Sequence, residues 1–184
     1  MVRTRVMPCL LLKNGGLVKT VKFKSEQYIG DPINAVRIYN QKEVDELVLF
    51  DISRTSLGKP VDFGLIEKIA SECFMPVCYG GGVKTLEDFK ILFSLGVEKV
   101  SVSSLIFDDP EVIRHAVDIF GSQSIIATID ISKSLFRSTY VIKTHSGRVK
   151  RDVRISDIVA HCETLGVGEI IVNNISQDGS WEGF

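Results

Sequence analysis

The sequence carries no excess of charge of either sign. Twenty-two Lys and Arg face 23 Asp and Glu, for a formal net charge of −1, so nothing draws the chain to nucleic acid or to an anionic membrane surface. No apolar run reaches membrane-spanning length. The N-terminal stretch MVRTRVMPCLLLKNGG lacks a signal-peptide cleavage pattern; its apolar part is short and runs directly into Lys13-Asn14-Gly15-Gly16. The four cysteines (Cys9, Cys73, Cys78, Cys162) have no metal-ligand spacing. They read as reduced, mostly buried thiols of a cytoplasmic protein. The three histidines (His115, His145, His161) are scattered, so no metal site and no cofactor is expected. No linker or low-complexity segment marks a second domain. With 184 residues, 45% of them hydrophobic and 24% charged, the chain fits one core-bearing domain spanning 1–184.

What is present begins with Pro76–Gly82, PVCYGGG, followed by Val83-Lys84-Thr85. A short apolar run ends in three glycines and a helical pattern starts at once. Consecutive glycines let backbone N–H groups approach a ligand without interference from a Cβ. The helix start that follows is expected to add unpaired N–H groups and a positive dipole end. The combination reads as a phosphate cradle at the C-terminal end of a strand; the plain alternative is a flexible strand-to-helix turn.

The same strand-loop-helix unit recurs along the chain. Strands are predicted at Arg5–Leu12, Leu17–Phe23, Glu46–Ile52, Pro76–Tyr79, Lys99–Val102, Ser124–Ile131 and Glu169–Asn173, with a polar loop after Phe23. Helices are predicted from Asp31-Pro32 (apolar face Ala35, Ile38, Tyr39), over Val61–Phe74, Leu86–Leu95, from Asp109-Pro110 to Phe120, and over Ser156–Leu165. Ser138–Thr144 and Arg148–Val153 flank His145-Ser146-Gly147 as a hairpin. His115 and His161 fall in helical patterns as surface or packing residues.

This alternation of short apolar strands and helices means parallel strands covered by helices. A doubly wound sheet and a (β/α)8 barrel both fit. An internal repeat favours the barrel: 44–53 aligns with 167–176, each placing Glu at a strand start (Glu46, Glu169) and Ile-Ser just past its end. The fold expected is α/β, a TIM (β/α)8 barrel of phosphate-binding type holding about the first six β/α units.

The motifs Pro8-Cys9-Leu10, Lys13-Asn14-Gly15, Val18-Lys19, Asp31-Pro32, Asp45-Glu46-Leu47 with Asp51-Ile52, Gly80-Gly81-Gly82, Gly121-Ser122-Gln123, Ile129-Asp130, Gly168-Glu169-Ile170 and Asp178-Gly179 run from end to end in order. As a set they resemble the HisF family, the cyclase subunit of imidazole glycerol phosphate synthase. The related HisA isomerases share the glycine and serine phosphate loops but not the Pro-Cys start or Gly-Ser-Gln. The resemblance implies a lyase-type cyclase of histidine biosynthesis. It would take ammonia from a HisH-type glutaminase partner and act on a two-phosphate ribulosyl aminoimidazole, a phosphorylated small molecule. The products would be imidazole glycerol phosphate and aminoimidazole carboxamide ribotide.

By resemblance, Asp130 is one of two catalytic carboxylates acting as general acid and base. The second belongs at the end of the first strand, where this chain has Leu11, which cannot transfer a proton. Asp51 or Asp178 are the available substitutes. Lys19 corresponds to a lysine of a mobile loop that closes over substrate; on composition alone it could equally be a solvated lysine. Gly81, Gly82, Ser103 and Ser104 resemble the first phosphate site, and Asp178 belongs to the substrate-binding set. Arg5, Glu46, Lys99 and Glu169 at strand starts resemble an ammonia gate above the glutaminase docking face; singly, each would read as a rim charge facing water.

Three functional readings stand side by side. One is a catalytic cyclase subunit. A second is a paralogue without cyclase activity that delivers ammonia for amidino-sugar formation in surface-polysaccharide biosynthesis. A third is an isolated phosphate-sugar binding barrel, which the four gate charges disfavour. The chain also stops about one quarter short of an eight-stranded barrel. Unpaired edges are therefore expected at the first and sixth strands, with less cooperative unfolding than a complete barrel.

Overall fold

A computed structural model describes residues 4–134 and 139–182; Ser138, the predicted start of a hairpin strand, lies outside them. The chain divides into two compact units, Met1–Val18 with Tyr28–Val100 and Lys19–Gln27 with Ser101–Phe184.

Strand β1 (Cys9–Lys13) turns through Asn14 and Gly15 into β2 (Gly16–Val21). Asn14 and Gly15 adopt φ of 50° and 82°, and the register Lys13↔Gly16 closes a two-residue hairpin. An Asn-Gly pair accepts these left-handed angles at little cost. Strand β3 (Lys24–Gly30) occupies the stretch predicted as a polar loop. Its sequence, KSEQYIG, has no apolar alternation because nearly all of it is exposed, so the pattern that marks a half-buried strand is absent.

Helix α1 (Pro32–Lys42) starts where Asp31-Pro32 predicts: the Asp31 carboxylate accepts the Asn34 N–H at 3.1 Å, and Pro32 sits in the first turn, where its missing N–H costs nothing. Its buried residues are Pro32 and Val36, whereas Ile38, expected on the apolar face, is 55% exposed. Strand β4 (Leu47–Asp51) lies parallel to β1 with Leu11↔Phe50 and Leu12↔Asp51. Over Leu11–Lys13 the other side of β1 is taken by β2, so that part of the edge expected to be open is paired. The short helix α2 (Arg54–Leu57) is not foreshadowed in the sequence; four residues are too few to show a period. Helix α3 (Phe63–Glu72) is capped by Asp62. Strand β5 (Val77–Gly80) pairs in parallel with β4, bringing Phe50 opposite Gly80. Helix α4 (Leu86–Ser94) and β6 (Lys99–Val102) follow. The first unit's core is built from Leu12, Val36, Leu47, Leu49, Ile66, Ile69, Tyr79, Phe89 and Leu92, all inaccessible to solvent or nearly so.

In the second unit, helices α5 (Leu105–Asp108) and α6 (Pro110–Phe120) precede β7 (Ile125–Lys133). The hairpin β8 (Tyr140–Thr144) and β9 (Val149–Arg151) pairs antiparallel, and β8 runs antiparallel to β7. Helix α7 (Ile155–Thr164) leads to β10 (Glu169–Asn174), which is parallel to β7. Ile106, Ile113, Ile125, Ile126, Ala127, Ile142, Ile158 and Cys162 form this unit's core. Each unit thus joins parallel strands through helices and carries a hairpin after one of them. This is a mixed α/β fold with mainly parallel pairing, compatible with a TIM-type barrel.

The four cysteines are free thiols; Cys78 and Cys162 are buried, Cys73 half-buried and Cys9 exposed, so only two match the expected burial. Among the described residues no helix is long and apolar enough to cross a membrane.

Candidate functional site

In the second unit Asp130 is a buried carboxyl. It sits on β7, opposite Asn173 of β10 on one side and Lys143 of β8 on the other. Burial pushes its carboxyl up to about 7, opposed by the hydrogen bond that Asn173 Nδ2 donates to Oδ1 at 3.3 Å. Desolvation disfavours the charged form more than one neutral amide can restore. A carboxyl balanced near neutrality both releases and accepts a proton at physiological pH, as general acid–base chemistry requires. Two residues earlier on the same strand, Thr128 meets Ser101 in a buried hydroxyl pair at 2.6 Å.

Ser104 lies within a polar cluster that the hairpin β8–β9 completes. Its Oγ accepts the His145 N–H at 3.3 Å and lies 3.4 Å from His145 Nδ1. The other imidazole nitrogen, Nε2, is 3.7 Å from Asp108. Arg151 donates to Asp108 at 2.7 Å and to Thr144 Oγ1 at 3.0 Å, with its guanidinium 4.9 Å above the Phe107 ring. Ser103, the preceding residue in the chain, is half-buried. Lys19 is exposed on β2. Asp178 holds the turn after β2: its Oδ2 accepts from Thr20 Oγ1 and from the Phe23 N–H. Glu169 opens β10 and is half-buried.

In the first unit the glycine turn is organised by Asp51 and Arg54. Asp51 is buried; its Oδ1 accepts from Ser53 N and Oγ, and its Oδ2 from Arg54 Nε at 2.8 Å. Arg54 reaches on to Asp62 at 2.9 Å. Gly81 has φ +126°, and a Cβ there would collide with the Asp51 carbonyl. Tyr79 O–H donates to the Gly81 carbonyl at 2.9 Å, and the Gly82 N–H is donated to Thr55 Oγ1 at 3.1 Å. The helix start after the glycines is capped in part from within. Thr85 and Asp88 form a capping box that uses the N–H groups of Lys84, Thr85 and Asp88. With Glu87 and Asp88 in its first turn, α4 meets its dipole with its own carboxylates.

Three of the four strand-start charges meet in this unit. Glu46 is 2% exposed, and its Oε2 accepts from Lys99 Nζ at 2.8 Å and from Arg5 Nη1 at 3.3 Å. Its Oε1 is the one buried side-chain polar atom without a hydrogen-bond partner among the described residues. Leu11 is half-buried between the buried Leu10 and Leu12. Neither carboxylate considered as its substitute is idle: Asp51 is clamped by Arg54 and Ser53, and Asp178 by Thr20 and Phe23.

Sequence reasoning passed over Arg54, Asn173, His145, Asp108 and Arg151. Arg54 had a usable local signal, three residues after Asp51. The others are joined across 43 or 41 positions, beyond any periodicity.

Residues 5–184 match the family described as "Histidine biosynthesis protein". The chain is 49% identical over its whole length to a Vibrio vulnificus protein named "Putative imidazole glycerol phosphate synthase subunit hisF3", covering 71% of that protein. It is 50% identical to a Pseudomonas aeruginosa protein named as the corresponding subunit hisF2, covering 73%. It is 39% identical to "Imidazole glycerol phosphate synthase subunit HisF" of Staphylococcus epidermidis, again covering 73%.

Proposed function

The chain belongs to the histidine biosynthesis protein family, as a HisF-like member, and from that premise we propose that it is an ammonia-using synthase subunit working with a HisH-type glutaminase. It supplies about the first six β/α units of a TIM-type barrel. Its acceptor is a phosphorylated ribulosyl aminoimidazole, which gains nitrogen from ammonia and is split into imidazole glycerol phosphate and aminoimidazole carboxamide ribotide.

The observation that carries this reading is Asp130, a buried carboxyl held near neutrality. Adding ammonia to a carbonyl requires a proton to leave nitrogen and another to reach the departing oxygen. One carboxyl with a pKa of about 7 can serve both transfers in turn. Asn173 holds Oδ1 and limits how far burial raises the group. Gly81 and Gly82 bring backbone close to a phosphate, while Ser103 and Ser104 offer hydroxyls to one. Lys19, exposed on β2, supplies a cation to the substrate, and Asp178 orders the turn that follows this strand. Arg5, Glu46 and Lys99 are assigned to the ammonia entry, where a carboxylate lone pair left over at Glu46 Oε1 offers an acceptor to a small N–H donor; Glu169 of the second unit is assigned the same role from the resemblance alone. This reading takes the protein to work in the cytoplasm.

Leu11 favours a second reading. With no carboxylate at the end of β1, and with Asp51 and Asp178 both engaged, ammonia would pass to a different acceptor, such as a sugar in surface-polysaccharide biosynthesis. Ammonium-fed turnover of the ribulosyl aminoimidazole substrate, with and without Leu11→Asp, separates the two. Turnover by the unmodified protein that Asp130→Asn abolishes supports the cyclase. Turnover only after Leu11→Asp supports the second reading. The substitution is tolerable because Leu11 is half-buried rather than in the core.

A further inference from the structure

We propose that Lys143 is a second catalytic residue beside Asp130, its ammonium holding the carbonyl oxygen of the acceptor as negative charge develops there when ammonia adds. This rests on the proposed function, which gives Asp130 the proton transfers of that addition.

Sheet register brings the groups together. Asn173 of β10 and Lys143 of β8 stand directly opposite Asp130, one on each flank of β7. Residues paired directly across neighbouring strands project to the same face, with Cβ atoms about 5 Å apart. An amide, a carboxyl and an ammonium therefore form a row across three strands. The two flanks bond differently. Asn173 Nδ2 donates to Asp130 Oδ1 at 3.3 Å, which leaves Oδ2 as the oxygen open to proton exchange. No ion pair joins Lys143 to Asp130 among the described residues, although a lysine stem spans the distance between neighbouring strands.

Lys143 is also uncommitted elsewhere. An ammonium partly withdrawn from water ordinarily finds an acceptor. The other half-buried cations among the described residues do so: Arg54 pairs with Asp51, Lys99 with Glu46 and Arg151 with Asp108, and Lys13 is engaged as well. Lys143 is half-buried and has no hydrogen bond or ion pair among the described residues. Its strand neighbours Ile142 and Thr144 are 1% and 0% exposed, so the backbone that carries it is fixed. The result is a cation on a firm strand, next to a buried carboxyl, with no bond to break when a ligand arrives.

The addition uses both groups. As the ammonia nitrogen bonds to the acceptor carbon, the carbonyl π pair moves onto oxygen. The new C–N bond leaves a positive nitrogen and a negative oxygen. Asp130, as carboxylate, takes one proton from that nitrogen at Oδ2 and returns it to the oxygen, giving a neutral carbinolamine. Lys143 donates an N–H to the oxygen while it is negative and remains an ammonium at the end. Such a donor counts for most where water is excluded.

Ammonium-fed turnover of the ribulosyl aminoimidazole substrate tests this, in the unmodified chain or, if that is silent, in Leu11→Asp. Lys143→Met keeps the stem and removes the charge. It should lower kcat by about a hundredfold or more, change KM by less than about threefold, and leave the urea midpoint where it was, because no bond is lost. Lys143→Arg should retain more turnover than Lys143→Met. Turnover that Asp130→Asn abolishes but Lys143→Met leaves intact overturns this inference alone. A loss confined to KM makes Lys143 an anchor for a distant anion and overturns it too. So does a lowered urea midpoint, the mark of a structural lysine. Silence in both backgrounds overturns the proposed cyclase chemistry and the inference with it.

Discussion

Thr20 donates its hydroxyl to the Asp178 carboxylate at 2.7 Å, joining residues 158 positions apart. The same Oδ2 takes the Phe23 N–H at 2.9 Å, and the Asp178 carbonyl takes the Lys22 N–H at 3.0 Å. The turn after β2, on the strand that bears Lys19, is therefore tied down by one residue. Lys22 and Phe23 have φ of 52° and 59°, a backbone that costs free energy in non-glycine residues and persists only when neighbours hold it.

Asp178→Ala should release that turn. Amide exchange at Phe23 should speed by about tenfold or more, equivalent to losing about 1 to 2 kcal/mol of local hydrogen bonding. Exchange elsewhere in the second unit should change little. Unchanged protection at Phe23 would show that the turn is held by something other than Asp178.

The raised carboxyl of Asp130 makes stability fall with pH. The folded state retains this proton from the ordinary value of 3.8 up to about 7, whereas the unfolded chain loses it early. Over that interval the folded state binds more protons, so each step upward in pH favours unfolding. Asp130→Asn removes the penalty and can still face Asn173 with its amide oxygen. The variant should gain on the unmodified chain between pH 4 and 7 and then hold a constant advantage, at most about 4 kcal/mol for three pH units. Parallel denaturant curves at pH 4.5 and 8 check this; equal differences at both would sink it.

Glu46 is worth more than Arg5. Its carboxylate is 2% exposed and Lys99 is 14% exposed, whereas Arg5 is 46% exposed. Glu46→Ala removes the buried carboxylate oxygen that accepts from both Lys99 Nζ at 2.8 Å and Arg5 Nη1 at 3.3 Å and should cost about 2 kcal/mol. Arg5→Ala removes a half-exposed pair and should cost less than about 1 kcal/mol. Urea midpoints measured side by side decide the ranking, and a larger loss for Arg5→Ala would reverse the argument.

Two glycines with positive φ should respond differently to alanine. Gly15, φ +82°, has nothing within 4 Å of where an added methyl would sit, so Gly15→Ala costs only the backbone strain, about 1 kcal/mol. Gly81, φ +126°, adds a collision with the Asp51 backbone, and Gly81→Ala should cost at least about 2 kcal/mol. Equal thermal shifts for the two would mean that the Asp51 loop yields freely.

Several elements were readable from neighbouring residues alone. Asp31-Pro32 announced α1, Asp109-Pro110 announced α6 through Phe120, and Lys99–Val102 was placed at its observed bounds. Caps, prolines and apolar periods act over one helical turn or a few strand residues, so the chain carries them locally. The Thr85–Asp88 capping box was equally local, and it was passed over because the glycines before it held the reading.

The sequence by itself determined the strand–helix order, the motif set that places the chain in its family, and Leu11 where a carboxylate was expected. Only the tertiary structure decided which charged groups are available for chemistry. Asp51 is consumed by Arg54, Asp178 by the turn after β2, and Glu46 by Lys99 and Arg5, while Asp130 is lifted toward neutrality by burial. The exposed β3 and the bond between His145 and Ser104 also emerged only there. A side chain's propensity travels with its neighbours in the chain, but its solvation and its partners exist only once distant strands have been brought together.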